Sequence, residues 1–453
     1  MTAFALTFLL LTAPFFAYRF AARGGNATAF RAALLLSLAA VLLEHFTRTK
    51  EGAESRTRPV AALLVPLWLF LLLCVFQTTR SDFPIALPIL LVMIEGALTV
   101  TVLVWYTRTA ERLTSLATVY AYGAVLPFLV GAYQVYGVVT TNAIPPLPLS
   151  GLLSQWLVPY DPDLHGGIHL TMIEGLVFPR VASTLVDANF FGVYIAGALL
   201  CVMGRTAGLL LEPRKRAFRI ASNATAVAFG LVVLLFTMSR SAWLGFAAGA
   251  VYVAYHATKH HREATRVRLA VLAIAAVSIA LTWQVLVITG YDLPVLAMSR
   301  AQDVSGGFTI RQDLAAAAID AFSRNPVVGI GRANLIPFTG YPTAHSFYLT
   351  RLAEDGVLGL AIIMIWIWLI WNRGAALVAR DVTPGTRWVA TGLRAALLAL
   401  LVANVPYDHM MSTEVNWVLL GLVAASGRVV PPTVGAEATG SDDSAAAAGE
   451  AAP

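Results

Sequence analysis

FGLVVLLFTMSRSAWLGFAAGAVYV (Phe229–Val253) sets two apolar runs end to end with only a few residues between them. Each run, 219–238 and 241–257, approaches the length of about 20 residues that a helix needs to cross a hydrocarbon core. In lipid the backbone must satisfy its own hydrogen bonds, so such runs read as helices. With so short a joint, the pair reads as a membrane hairpin, and the single charge, Arg240, stands at its tip. Similar runs fall near 2–18, 30–46, 60–77, 83–104, 113–139, 184–204, 269–289, 354–371, 388–404 and 413–427. The expectation is an all-α, polytopic membrane protein with about 12 transmembrane helices.

The whole chain shares that character. Its 453 residues are 58% hydrophobic and only 12% charged, with a mean hydropathy of +0.73. A soluble globular chain carries about 25% charged residues, so half that level over this length calls for a bilayer. Cys74 and Cys201 lie far apart in apolar runs and suggest neither a disulfide framework nor a zinc site. The first apolar run, Phe4 to Tyr18, has no basic segment ahead of it and reads as a span rather than a cleaved leader. The net charge of +6 mainly reports topology. No basic–aromatic interleaving points to nucleic acid.

The gaps at 47–58, 107–112, 212–219, 258–268 and 372–387 are short and basic, and they hold all three lysines, Lys50, Lys215 and Lys259. The positive-inside rule places them in the cytoplasm together with both termini. Two long loops, about 140–183 and 290–344, then face outward; Arg19 and Arg23, near the first outer loop, run against the rule. The membrane domain is expected over 1–430, with a disordered cytoplasmic tail over 431–453, whose one large apolar residue is Val434. Within 290–344, Leu314, Ala318, Ile319 and Phe322 follow helical spacing before RNP (324–326) and GIG (329–331) end the pattern. This large outer loop is therefore partly helical and descends to His345. Beyond His345, Tyr348, Leu349 and Leu352 form one mostly apolar helix face, with Arg351 and Asp355 as an i, i+4 pair on its flank.

Arg240, Arg311 and His345 come from three separate segments, all on the outer side by this topology. Alone, an interfacial arginine snorkels to headgroup phosphates, and Arg311 is a solvated charge. As a set they mean more. The planar fork of arginine suits a phosphate better than lysine's point charge does, and no lysine occurs on this side. Cationic forks beside one titratable ring suit a substrate bearing a lipid diphosphate.

Four stretches resemble the O-antigen ligase and O-antigen polymerase superfamily of membrane glycosyltransferases. They are RVASTLVDANFFGVYIAGAL (180–199), LFTMSRSAWLGF (235–246), IRQDLAAAAIDAFSRNPVVGIGRAN (310–334) and AHSFYLTRLAEDGVLGL (344–360). Order and spacing agree over roughly 180–372. Ser346 departs from the asparagine often found there, and DANFFG (187–192) from a commoner proline–asparagine pairing. The resemblance implies transfer of a glycan from an undecaprenyl-diphosphate carrier to an acceptor hydroxyl on a lipid or glycan. The site would lie on the outer face of the cytoplasmic membrane, and the reaction would need no metal or other cofactor. It matches Arg240 and Arg311 to the family's essential arginines and His345 to its essential histidine. Arg180, Asp187, Asn189 and Tyr348, in the matching stretches, are further substrate-binding candidates. Direct attack by the acceptor at the anomeric carbon would invert it.

Other signals are weaker. Asp161, Asp163, His165 and His169 in DPDLHGGIH form a list of metal-ligand types, but the turn-forming residues among them suit a solvated loop. Glu95 lies mid-span and needs a partner, most simply an interhelical hydrogen bond from the protonated acid. GFAAG (245–249) fits small-residue helix contact. Asp408 and His409 fall in the last outer turn and could line the same cavity. The competing class is a transporter of a solute or lipid-linked glycan; repeated halves and midplane polar breaks, which it would show, are missing from the sequence.

Overall fold

A computed structural model describes residues 1–15, 18–20, 28–48, 58–141, 157–159, 170–173, 176–185, 187–211, 217–259, 305–341, 343–379 and 383–429. Its helices are α1 (Thr2–Thr12), α2 (Ala29–Arg48), α3 (Arg58–Thr79), α4 (Phe83–Tyr106), α5 (Ala110–Gly123) and α6 (Val125–Thr141). They continue with α7 (Ala188–Leu211), α8 (Ala217–Phe236), α9 (Arg240–Lys259), α10 (Ser305–Arg324), α11 (Phe347–Ala379), α12 (Pro384–Ala403) and α13 (Glu414–Ser426). A single helical turn, Ile336–Thr339, lies between α10 and α11. Two short antiparallel strand pairs, Tyr18–Phe20 with Leu157–Pro159 and Leu170–Ile173 with Leu176–Pro179, lie in the segments read as outer loops.

The protein is an all-α polytopic membrane protein. Among the described residues, eight helices are long and apolar enough to cross a bilayer: α2, α3, α4, α5 with α6, α7, α8, α11 and α12. The expected twelve differ for physical reasons. α1 and α13 have 11 and 13 residues, short of a full crossing. α9 has the length, but Arg240, two glycines, two tyrosines and His256 dilute its apolar character. The run near 269–289 and the tail 431–453 lie outside the described residues, as do Asp161, Asp163, His165 and His169.

α7 and α12 form the buried centre. Of their spans 89% and 78% are buried, against 50% or less for each of the other six. Glycines make that density possible, because lipid-embedded helices associate where small residues let backbones approach. A Cβ on Gly204 of α7 would lie 2.5 Å from the Trp388 carbonyl oxygen of α12. On α9, a Cβ on Gly245 or Gly249 would lie 2.5 or 2.8 Å from the carbonyl oxygens of Ala399 and Ala395. GFAAG is thus a helix contact, as its spacing suggests.

α11 breaks at Gly356, whose φ of 67° and ψ of −171° are non-helical. The segment after α10 fills the break. Val357 and Leu358 N–H donate to the carbonyls of Pro326 and Val327 at 2.9 and 3.1 Å, while Ile330 and Gly331 donate to Ala353 and Glu354 at 2.9 and 3.1 Å. The segment after α10 is so tied to the start of α11.

Three side-chain expectations change. The fully buried side of the first turns of α11 carries Phe347, Thr350, Arg351, Glu354 and Asp355, whereas Tyr348, Leu349 and Leu352 are only half-buried. Arg351 and Asp355 therefore lie inside, not on a flank: Arg351 bonds Glu354 at 2.8 Å and Asp355 at 3.2 Å, and buried Arg332 reaches Asp355 at 3.0 Å. In a bilayer the apolar face can meet lipid while polar groups turn inward to one another. On α10 the buried stripe is Leu314, Ala318 and Ala321, with Ile319 exposed. Alanines fit the narrow space against Leu335, Ala344 and Ala353. Glu95 meets a cation, Arg31 of α2, at 2.7 Å rather than a neutral hydrogen-bond partner.

Candidate functional site

Three turns that bring chain segments to one end of the bundle each contain a residue in the left-handed region: Ser183 (φ 54°), Met238 (φ 51°) and His345 (φ 51°). Non-glycine residues adopt this conformation at a cost, and such strain clusters at functional sites. Met238 lies in the three-residue joint between α8 and α9. The Trp243 indole closes that hairpin by donating to the Leu234 carbonyl at 2.9 Å, and Arg240 opens α9 beside Ser241.

Arg180 arrives from the chain ahead of α7. Val181 N–H donates to the Phe236 carbonyl at 3.1 Å, and the Arg180 guanidinium donates to the Thr237 carbonyl at 2.9 Å and to Asn189 Oδ1 at 2.7 Å. Asp187 caps α7, accepting from the backbone N–H of Asn189 at 2.6 Å and of Phe190 at 3.3 Å. Its other oxygen accepts the Tyr407 hydroxyl at 3.0 Å. Tyr407 belongs to the turn after α12, which also holds α11: Phe347 N–H donates to the Asn404 and Tyr407 carbonyls at 3.1 and 3.0 Å.

These parts surround a cavity of about 140 Å³ lined by Arg180, Asn189, Met238, Arg240, Ser241, Leu244, Arg311, Pro406 and Tyr407. Three guanidinium groups from three segments share one space. His345 stands behind Tyr407, the two rings nearly parallel (17°) with centroids 6.3 Å apart. Of the residues singled out from sequence, Arg180, Asn189, Arg240 and Arg311 line the cavity. Asp187 supports it from behind. Tyr348 turns away, its hydroxyl donating to the Leu401 carbonyl at 3.0 Å. Tyr407 and Ser241 were not anticipated, because nothing in their spacing marks them.

The electrostatics follow from crowding cations in a half-buried space. Burial, and then the neighbouring Arg311 and Arg240, lower Arg180 from its ordinary range, against the pull of Asp187 and Tyr407. Arg311 is lowered by burial and by Arg240. His345 is lowered by burial and Arg311, opposed by Asp408 and Asp187, a shift that favours the neutral imidazole. Asp408 is raised by burial, against the Arg351 guanidinium 3.9 Å away. His409 falls to about 3 through burial, packed edge-on against Phe190 and Tyr407 at 3.8 and 3.6 Å. It serves as packing, not as a titrating group.

Residues 225–364 match the family model described as O-antigen ligase. That stretch is similar to the O-antigen ligase family. That match bears out the resemblance to the O-antigen ligase and polymerase superfamily and supports a membrane glycosyltransferase type of function. It contains Arg240, Arg311 and His345; Arg180, Asp187, Asn189 and Tyr407 lie outside it. No curated protein gives a significant match to the chain.

Proposed function

We propose that the protein transfers a glycan from an undecaprenyl-diphosphate carrier to an acceptor hydroxyl of a lipid or glycan, at the outer face of the cytoplasmic membrane. The observation that carries the reading is the cavity lined jointly by Arg180, Arg240 and Arg311, with His345 behind Tyr407. Guanidinium groups bind a diphosphate through charge-assisted, bidentate hydrogen bonds. They also stabilise the charge that grows on it as it leaves. The N-terminus of α9, with Ser241, adds a favourable dipole for an anion.

The neutral imidazole of His345 takes the acceptor hydroxyl's proton. The acceptor oxygen forms its bond to the anomeric carbon as the bond to the diphosphate oxygen breaks, and the centre inverts. The lipid diphosphate leaves with the bonding electron pair, and the proton passes from His345 to solvent. The arginines carry the charge stabilisation in this scheme, so no metal ion has a role in it. Ligase and polymerase differ only in the acceptor that reaches His345.

The test separates binding from chemistry in reconstituted membranes. His345→Ala should bind donor like wild type and lose transfer by roughly 10²–10⁴, the usual contribution of a general base. Arg311→Lys and Arg240→Lys keep the charge but lose the fork, so both donor binding and transfer should fall. Wild-type transfer by His345→Ala would sink the mechanism.

A further inference from the structure

The polar cavity has an apolar wall. Leu244, one helical turn into α9 from Arg240, lines the cavity and is nevertheless 57% exposed. It begins a stripe: Leu244, Ala247, Val251 and Tyr255 are all exposed, at the i, i+3, i+7, i+11 spacing of one helix face. Val251 is 69% exposed, and the stripe carries no charged side chain. The opposite face of α9 is occupied, with Gly245 and Gly249 pressed on the α12 backbone. On the other lip of the cavity, Pro406 follows Val405, also 57% exposed. The arginine cavity therefore opens sideways onto an apolar helix face.

We infer that the polyprenyl chain of a lipid diphosphate leaves the cavity over Leu244 and lies along the α9 face through Val251. This rests on the reading of the cavity as a diphosphate site and adds a direction to it. A chain leaving over Leu244 puts the lipid-side phosphate at Arg240 and the glycan-side phosphate toward Arg311. Arg311 is also the cation acting on His345, so the anomeric carbon lies at the basic end and the tail at the bilayer. Charge complementarity at one end and continuity with an apolar face at the other select this occupant over an ordinary membrane lipid, whose single phosphate leaves part of the arginine set unused.

The experiment uses the full chain in nanodiscs with undecaprenyl diphosphate and inorganic pyrophosphate as probes. Val251→Glu, on the proposed path but outside the cavity lining, should weaken undecaprenyl diphosphate by about 10-fold, the loss of roughly two buried methylenes' worth of contact, with pyrophosphate binding unchanged. Leu72→Glu, on an equally lipid-exposed face of α3, should change neither. A photoreactive residue at 244 or 251 should label the bound undecaprenyl diphosphate and one at 72 should not, which decides the matter if a glutamate variant fails to insert. Binding of both probes by wild type with equal effects at 72 and 251, or labelling at 72 alone, overturns the path while leaving the cavity reading intact. A wild-type protein that binds neither probe overturns the cavity reading, and the path with it.

Discussion

At the scale of single residues, the candidate site rests on one ring and the charges around it. His345 is lowered by burial and Arg311 and raised by Asp408 and Asp187. A lowered value means the basic form persists on acidification through the usual histidine range near pH 6.5. Transfer should hold from pH 7.5 to 6.5 and fall only below it. Asp408→Asn removes a group that favours the imidazolium, so the acid limb should move to lower pH. Arg311→Gln removes one that disfavours it, so the limb of its residual activity should move up. Coincident pH–rate profiles for the three proteins would count against His345 as the titrating base.

At the scale of elements, the decisive feature is the broken start of α11 and the loop that fills it. Gly356 sits at φ 67°, and a Cβ there would lie 2.3 Å from the Val327 carbonyl oxygen. Gly356→Ala combines backbone strain of about 1–3 kcal/mol with a clash that only loop displacement relieves. The expected outcome is a large fall in folded protein recovered from membranes and a lower thermal midpoint. The neighbouring helical substitution Ala353→Gly, which keeps the loop seated, should cost about 1 kcal/mol beyond its small cavity. Normal thermal stability of Gly356→Ala would show that the loop does not lock the helix.

At the scale of the whole molecule, the lysine distribution predicts the orientation of the bundle, and with it the side on which the site would lie. Cysteine introduced at Ser305 should react with an impermeant reagent added outside intact cells, and cysteine at Ser441 should not. The reverse pattern would put the arginine cavity in the cytoplasm and end the case for an outer-face donor. Transfer should likewise persist in excess chelator, since three guanidiniums supply the charge that a divalent ion would. Activity lost in chelator and restored by Mg²⁺ or Mn²⁺ would move attention to Asp161 and Asp163.

The sequence by itself determined the fold class, the hairpin at Arg240, the helix that ends at RNP (324–326) and the histidine ahead of α11. Apolar periodicity and short turns are local properties, and the bilayer enforces them segment by segment. It also singled out Arg240, Arg311 and His345, because their charges stand out against an apolar background. Tertiary structure alone decided which side chains meet. Tyr407 between Asp187 and His345, the Arg332–Asp355–Arg351 cluster and the Arg31–Glu95 pair each bring together positions 23 to 220 residues apart. It also reversed the faces of α11: in lipid the apolar side of a helix need not be its inner side, so hydrophobic pattern alone cannot say which face the protein buries.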